Sequence, residues 1–356
     1  GRIVATTAPS SLNERDEIED VNERLDKARE RESMRLSDAD LDKRDTLYAL
    51  NAAMMWNLIY TPIENGPLMP VSRAWNKVDH CVSFDFTYSI FDWDNFFASH
   101  TSAVMNLTDI AISNLIQTVK SATADGFVPN LSAAGEKSQD RTEPPVGSKV
   151  LESVIKYSGG YEKVGWVAEL LIDDLITWND WFFREREYKG LIVLGSYNIE
   201  KMLHNKSQND NMQAARFESG LDNSPMYDGD FYDKDSHRMN MFDVGFSAMV
   251  AADSLSLARI LRNLNRSEDA DRFDTRAEDL AKRIQEELWD EELGIFVNKF
   301  FSNDSLSKHV SPTSFYPLMA NVATPDQVDR IVSSWLFNSS RFCVAMNGDF
   351  KGNSDD

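Results

Sequence analysis

A tryptophan flanked by two aspartates stands in the segment Phe91–Phe97, which reads Phe-Asp-Trp-Asp-Asn-Phe-Phe. An indole ring can stack on the C–H face of a sugar, and a neighbouring carboxylate can accept hydrogen bonds from sugar hydroxyls. Phe91, Trp93 and Asp94 are therefore candidate carbohydrate ligands. The simpler interpretation of this segment alone is a helix start, with an aspartate at the N-cap and aromatic rings in the core.

A second group of polar residues lies in a tight turn at Glu218–Pro225, with the sequence Glu-Ser-Gly-Leu-Asp-Asn-Ser-Pro. Glycine and proline on either side of Asp222 can hold its carboxyl group in place, although an aspartate turn without chemistry is commoner. Two further rigid loops, at 125–130 and 140–147, combine polar tips with Gly and Pro. Four such loops in one chain favour a shared site more than any of them does alone.

Other site chemistries have little support in the sequence. The acidic segment at 228–235 lacks the glycine and terminal glutamate of a calcium-binding EF-hand loop, so a solvated acidic loop is the preferred interpretation. The histidines show no zinc-ligand spacing, and no phosphate-binding Walker loop or Gly-x-Ser-x-Gly turn is present. Neither a metal nor a cofactor is expected. Cys81 and Cys343 are interpreted as two buried thiols, with a single bridge as the alternative.

The composition is that of an acidic globular protein. With 37 Lys and Arg against 58 Asp and Glu, the 356-residue chain has a formal net charge of −21. That charge disfavours a nucleic-acid partner, because nucleic-acid binding relies on basic surface. Hydrophobic residues make up 42% of the chain, which is enough for a packed core. No run reaches the roughly 18 apolar residues of a membrane-spanning helix, so no membrane insertion is expected.

The elements that must position these loops are mostly helices. Apolar residues recur at three- and four-residue steps in several segments, which predicts amphipathic helices over 16–33, 42–60, 94–119, 160–185, 243–264 and 267–289. The segment 243–264 is apolar nearly all round, as expected of a buried helix. Ser267 is the expected N-cap of the last helix. Short strands are predicted near 190–195 and 294–297.

Long polar loops separate the helices at 61–92, 123–150 and 205–242. Loops of that length inside a compact domain are often functional. Helical hairpins with long loops gathered at one end fit an α-solenoid or a closed α/α toroid. The lack of a repeat of roughly 34–47 residues disfavours the solenoid. We expect an N-terminal extension with a charged helix at 1–41 and a catalytic-type helical domain at 42–356.

In their order along the chain, the four loops resemble glycoside hydrolase family 63, most closely its mannosylglycerate and glucosylglycerate hydrolase-like members. Processing α-glucosidases are a more distant match. The likeness runs from about residue 42 to the end of the chain and is most specific at Glu218–Pro225. It implies an all-α fold, an (α/α)6 toroid with a few short strands in the loops, and a sugar pocket at one end of the ring.

The resemblance also implies an inverting mechanism in which Asp222 is the general acid. The general base of such an enzyme stands roughly 6.5–9.5 Å away, and the family places it in a segment beyond Asn347–Asp349. We therefore expect the base beyond residue 356, with the C-terminal part of the toroid missing from this chain. The expected substrate-binding residues are Phe91, Trp93, Asp94, Asn130, Glu143, Glu218, Gly220 and Asn223. Glu143 stands where the family has Gln, which would disfavour an anionic aglycone such as glycerate.

Two functional hypotheses follow from the resemblance. The first is an inverting α-glycosidase that hydrolyses an α-glucoside or α-mannoside, and the alternative is a non-catalytic carbohydrate-binding or structural relative that keeps the toroid. A small carbohydrate is the expected partner, and an oligomer or assembly partner is left open. Six Asn-x-Ser/Thr triplets permit a secretory or extracellular location and N-glycans, with a cytoplasmic location as the alternative.

Overall fold

The structure is a computed structural model that describes residues 14–37, 41–61, 66–76, 87–133, 136–199, 209–338 and 340–341. By packing, the chain divides into two compact units, residues 1–56 and 57–356. The first unit contains helix α1 (Glu14–Ser37) and all but the last residue of α2 (Leu41–Asn57). On α1 the apolar side chains of Val21 and Leu25 are exposed, as a solvated helix requires. The expected boundary at residues 41 and 42 stays a prediction, and Cys81 and Cys343 lie outside the described residues.

The second unit is dominated by helices, many of them paired as hairpins with short connections. The helices are α3 (Asp92–Val104), α4 (Thr108–Lys120), α5 (Gly147–Tyr157), α6 (Tyr161–Glu185), α7 (Met212–Phe217), α8 (Val244–Asn263), α9 (Ser267–Leu288) and α10 (Pro325–Ile331). Three-residue turns join α3 to α4, α5 to α6 and α8 to α9, so the two helices of each pair run antiparallel. Shorter helical turns follow at Pro225–Tyr227, Pro312–Leu318 and Val332–Leu336.

The first helices of successive pairs lie side by side and point the same way. Helix α3 packs on α5, and α5 packs on α8. Nδ1 of His100 in α3 lies 2.6 Å from Oγ of Ser153 in α5. Gly147, at the start of α5, lies against Phe96 near the start of α3: a Cβ placed on this glycine would be 3.0 Å from Cζ of Phe96. The long loops that precede these helices therefore meet at one end. Helices paired in this way, with the preceding loops at one end, agree with the predicted all-α fold of the (α/α)6 toroid type.

Short antiparallel strands line that end of the helices. One sheet has the order β3-β4-β5-β6 and a second has the order β14-β13-β10-β8-β7, with β9 also paired to β10; β1 pairs with β2, and β11 with β12. The strand bounds are β1 Ile59–Thr61, β2 Gly66–Leu68, β3 Ser72–Asn76, β4 Thr87–Phe91, β5 Leu131–Ala133, β6 Glu136–Lys137, β7 Glu187–Tyr188, β8 Leu191–Gly195, β9 Tyr232–Asp233, β10 Arg238–Phe242, β11 Trp289–Asp290, β12 Ile295–Phe296, β13 Lys299–Phe300 and β14 Ser305–Leu306.

Aromatic side chains of α6 connect the helices to the loops. Trp178 stacks on Phe96 of α3, with ring centroids 5.8 Å apart. Trp181 packs on Phe127 in the loop after α4, with centroids 4.6 Å apart. All four of these rings are fully buried. Large buried rings contribute strongly to core stability, so α6 holds both the helices and the loop ends in place.

The predicted continuous helix over 94–119 is wrong: the structure has α3 and α4, separated by a turn. Asn106 has the left-handed conformation with φ 64°, and the N–H of Leu107 donates to the carbonyl of Ser102 at 2.8 Å. Phe97 and Val104 belong to the apolar periodicity that predicted one helix with a buried face, yet both side chains are exposed. The turn contains neither Gly nor Pro, so the apolar periodicity continues across it and conceals the break.

The turn between α8 and α9 has nearly the same geometry. Asn265 has φ 60°, and the N–H of Arg266 donates to the carbonyl of Leu261 at 2.9 Å. Arg266 is the N-cap of α9 and makes no side-chain cap bond, so the expected N-cap at Ser267 is wrong by one residue. In both turns the asparagine follows the helix end in the left-handed conformation, which this residue type tolerates better than most.

Helix α8 is long and apolar enough, by length and composition, to cross a membrane. However, 89% of its apolar window is buried inside the protein. It packs on α5, α6 and α9. Its burial on nearly all sides confirms the prediction for 243–264, and a core helix with neighbours on every side has the same composition as a membrane span.

Adjacent leucines of α6 provide a test of this packing. Leu171 is fully buried, whereas Leu170 is 43% exposed. We expect Leu171→Ala to lower the free energy of unfolding by about 2–5 kcal/mol, because it leaves a cavity in the core. Leu170→Ala, with the same change of side chain, should cost less than about 1 kcal/mol. Urea denaturation measures both, and equal losses would contradict the assigned face of α6.

Candidate functional site

The site begins where β4 runs into α3. Phe91 is the N-cap of α3, with extended backbone (φ −106°, ψ 130°) and no side-chain cap bond, so the aspartate N-cap interpretation is wrong. Asp92 and Asp94 lie in the first turn, where the positive end of the helix dipole favours carboxylates. Phe91 pairs with Leu131 of β5, and the N–H of Asp92 donates to the carbonyl of Asn130 at 3.3 Å. The first two loops are therefore joined through their backbones.

Glu143 connects the third loop to the first two. The N–H of Trp93 donates to its Oε2 at 3.1 Å, and Nδ2 of Asn130 donates to its Oε1 at 2.7 Å. The side chain is only 3% exposed. A first-turn N–H has no partner inside its own helix, so the Glu143 carboxylate supplies the missing acceptor and fixes Trp93 at the start of α3.

Gly220 brings the fourth loop against the indole. Its φ is +69°, and an added Cβ would lie 2.3 Å from Cζ2 and 2.6 Å from Cε2 of Trp93. Any side chain there would overlap the ring, so the backbone of the loop packs directly on the indole. Asp222 follows two residues later. The contact between Trp93 and Gly220 therefore brings the indole ring close to the loop that carries Asp222, the residue expected to be the general acid.

Electrostatics link Asp94, Glu143 and Asp222. Burial, followed by the charge of Asp222, raises the pKa of Asp94, although its side chain is open to solvent at the surface. Burial and then the charges of Asp94 and Asp222 hold the pKa of Glu143 well above its usual range. Burial also raises the pKa of Asp222. Neighbouring carboxylates of this kind retain protons to higher pH than isolated ones, so the group can hold a transferable proton.

Arg141 is a site residue that was not among those expected from the sequence. Its guanidinium donates from Nε to Oδ1 of Asn130 at 3.2 Å and from Nη1 to Oδ2 of Asp140 at 2.7 Å, and it lies 4.9 Å from the ring centroid of Phe217. Its charge lowers the pKa of Asp222, opposing the effect of burial. A single cation inside an otherwise acidic loop was the signal that could have identified it.

Asp92 was also not expected as a site residue. It is fully buried, and its Oδ2 accepts a hydrogen bond from Oγ1 of Thr142 at 3.3 Å. Burial and the neighbouring Glu143 hold its pKa well above the usual range. Nε1 of Trp178 donates to the same Thr142 hydroxyl at 3.0 Å. Asp92, Thr142 and Trp178 thus form a buried hydrogen-bonded chain that connects the start of α3 to helix α6.

The other expected site residues take different positions. Phe91 is half-buried at the head of α3, and Asn223 is exposed on the fourth loop. Glu218 is fully buried in an ion pair with Arg186. Within the described part of the chain, no group of three or more His, Cys, Asp or Glu side chains could hold a metal ion. The cluster around Trp93 can thus offer a stacking surface, hydrogen-bond acceptors and a proton.

A separate cavity of about 600 Å³ shares Trp93 as part of its wall. Its other lining residues come mainly from α3, α5 and the turn at Pro312–Leu318, and they include Phe97, Tyr157 and Met249. Asp222 and Glu143 are outside this lining. The cavity therefore adjoins the carboxyl cluster through the indole without including it.

Residues 87–347 match the family model described as "Mannosylglycerate hydrolase MGH1-like glycoside hydrolase domain". No curated protein sequence gives a significant match.

Solved structures resemble the fold at low sequence identity. Neutral trehalase from Saccharomyces cerevisiae superposes with a TM-score of 0.64 at 14% identity, over 83% of this chain and 61% of the trehalase. The family 63 mannosylglycerate hydrolase from Thermus thermophilus in complex with glucose gives 0.57 at 16% identity, over 80% of this chain and 74% of that one. The same enzyme with Tris and D-glycerate gives 0.53 at 17%, over 69% and 70%.

Two glycines with positive φ test the contact at the centre of the site. Gly220→Ala adds a methyl group against Trp93, whereas Gly229 (φ +81°) has no described atom within 4 Å of its added Cβ. Both changes strain the backbone by about 1–2 kcal/mol, but only the first forces the indole to move. We expect Gly220→Ala to cost a further 1–3 kcal/mol, roughly, because of overpacking. Urea denaturation measures the difference, and equal costs would contradict the packing of Trp93 on Gly220.

Proposed function

Because this chain belongs to the mannosylglycerate hydrolase MGH1-like family of glycoside hydrolase domains, we propose that it hydrolyses an α-glucoside or α-mannoside, with Asp222 as general acid. The observation that carries the proposal is the packing of Trp93 on Gly220. That contact puts a ring on which a sugar can stack next to the carboxyl groups of Asp94, Glu143 and Asp222. The arrangement supports binding of one terminal sugar residue.

Each residue of the cluster has a distinct part in the proposed reaction. The C–H face of the sugar stacks on Trp93, and the solvent-open Asp94 accepts hydrogen bonds from sugar hydroxyls. Both carboxylate oxygens of Glu143 already accept bonds from Trp93 and Asn130, so Glu143 orients the ring. Asp222 is half-buried and gives its proton to the glycosidic oxygen as the C–O bond breaks.

An inverting reaction also needs a second carboxylate to activate water on the opposite face of the sugar, at roughly 6.5–9.5 Å from the acid. We assign this second carboxylate to none of the residues that the structure describes.

We propose a neutral aglycone for the substrate. Asp94, Glu143 and Asp222 interact electrostatically with one another, and the charge of Arg141 acts on Asp222. An anionic group next to these side chains would meet the like charge of those that are ionised, at short range and in a partly desolvated site. Hydrolysis of neutral α-linked disaccharides that exceeds hydrolysis of glycerate-linked sugars supports this assignment, and the reverse order removes it.

Replacement of the proposed acid tests the mechanism directly. Asp222→Asn keeps the side-chain shape but has no proton to give, so we expect turnover to fall by about 10²–10⁴-fold, the usual contribution of general acid catalysis. The thermal midpoint should change little because the side chain is half-buried. The measurement is initial rate on a panel of α-linked glucosides and mannosides.

Asp228→Asn is the matched control for this variant. Asp228 lies six positions further along the chain, and its side chain is 67% exposed, so wild-type turnover is expected. Undiminished turnover in Asp222→Asn would exclude Asp222 from the chemistry. A protein that binds these sugars and hydrolyses none of them would instead support the non-catalytic carbohydrate-binding alternative.

The pH dependence of kcat gives an independent test. A general acid must be protonated, so activity is lost as pH rises through its pKa. The loss of activity at high pH is the alkaline limb of the pH profile. Burial raises the pKa of Asp222 and so moves this limb to higher pH, whereas the charge of Arg141 lowers that pKa and moves the limb to lower pH. Arg141→Met should therefore shift the limb to higher pH while lowering kcat. A shift to lower pH, measured by initial rates across the profile, would contradict the electrostatic role of Arg141.

A further inference from the structure

Glu218 was expected among the substrate-binding residues, but protein donors surround its carboxylate. Oε2 accepts hydrogen bonds from Nε of Arg186 at 2.7 Å and from the N–H of Gly195 at 2.8 Å. Oε1 accepts one from the N–H of Thr142 at 3.2 Å. The side chain has no exposed surface. A sugar in the neighbouring site would find this carboxylate already bonded and covered.

Arg186 is held as firmly as its partner. It is the C-cap residue of α6, and its side chain is also fully buried. The guanidinium carbon lies 4.6 Å from the ring centroids of both Trp181 and Tyr197, and Nη2 donates to the carbonyl of Asp140 at 3.1 Å. The buried rings of α6 hold this helix firmly in the core. Arg186, at its C-terminal end, therefore has a fixed position to which the loops can bind.

The groups that bind Glu218 belong to different parts of the site. Thr142 precedes Glu143 on the third loop, and Gly195 ends β8. Glu218 itself opens the fourth loop, two residues before Gly220 and four before Asp222. One buried carboxylate thus connects the core helix, a sheet and two of the site loops.

We propose that Glu218 and Arg186 are positioning residues for Asp222, and that their buried ion pair sets the fourth loop at its distance from Trp93 and Glu143. The inference rests on the proposed function, since it assigns the pair a part in the work of Asp222. A buried ion pair gives little net stability compared with apolar side chains of similar volume. The role argued for it is therefore placement of the loop.

A double variant separates placement from stability. Arg186→Met combined with Glu218→Leu replaces the pair by apolar side chains and keeps the fold, while removing the acceptor for Gly195 and Thr142. We expect the thermal midpoint to fall moderately, because two buried N–H groups lose their acceptor. Well below that midpoint, kcat should be lowered about 100-fold and KM changed much less, because a small misplacement of a catalytic group has that effect. The alkaline limb should move to lower pH, since a looser loop exposes Asp222 to water.

Further variants give the controls. Glu287→Gln breaks a partly exposed pair with Lys299, whose atoms are 2.7 Å apart, and should leave kcat unchanged. Glu218→Gln keeps the shape and leaves the buried Arg186 without its counter-charge, so it should lose both stability and turnover. If the double variant does not fold, kcat and the pH profile of Glu218→Gln, measured well below its thermal midpoint, take its place. A stable double variant with wild-type kcat and pH profile would overturn the inference.

Hydrogen exchange tests the positioning role of the ion pair without any activity measurement, so it can fail or succeed independently of the proposed function. In the wild type the hydrogen-bonded amides of residues 219, 220, 221 and 224 should be protected. In the double variant they should exchange at least tenfold faster, roughly, as a locally opened loop does. If no variant hydrolyses any glycoside, the proposed function fails, and the exchange measurement still decides whether the pair sets the loop. Unchanged exchange at 219–224 in the folded double variant overturns the inference.

Discussion

The contact between an indole ring and a backbone without a side chain is the constraint on which the site depends. Trp93 occupies the space that a Cβ at Gly220 would need. The backbone of Trp93 is also held in place, because Glu143 accepts a hydrogen bond from the N–H of Trp93 and a second one from the side chain of Asn130. A bulky ring pressed against bare backbone leaves both loops little freedom, since close-packed interiors transmit small changes. The carboxyl groups at the two loop ends are thereby kept near one another.

The helices supply this constraint with its frame. Parallel packing of α3, α5 and α8 brings the preceding loops to one end, and the rings of α6 anchor them from below through Phe96 and Phe127. Catalytic groups gain from such rigid support, because their geometry must hold within about half an ångström. Acidic side chains are then concentrated in a partly desolvated space, where burial and mutual repulsion raise their pKa values.

Sequence periodicity predicted most of the long helices and the loops that carry the site, but it missed helix α5, which begins inside the predicted loop 123–150. It could not reveal the break at Asn106, because apolar spacing continues through a turn that lacks Gly and Pro. Motif order selected Trp93 and Asp222, yet the residues that hold them were less visible. Glu218 and Arg186 are 32 positions apart and meet only after folding, and no local pattern marks a buried ion pair. Substrate, mechanism, location and the individual site roles stay predictions.

The matched turns after α3 and α8 bear on where the protein resides. In each, an asparagine adopts the left-handed conformation and a hydroxyl residue begins the following helix two positions later, at Asn106 and Asn265. An asparagine followed two positions later by Ser or Thr is also an acceptor triplet for N-linked sugars. Here the left-handed turn after a helix end is enough to explain why an asparagine stands at each position. Asn130, in a third triplet, is buried and bonded to Glu143. Half of the six triplets therefore have a folding explanation, and their number is a poor guide to export from the cell.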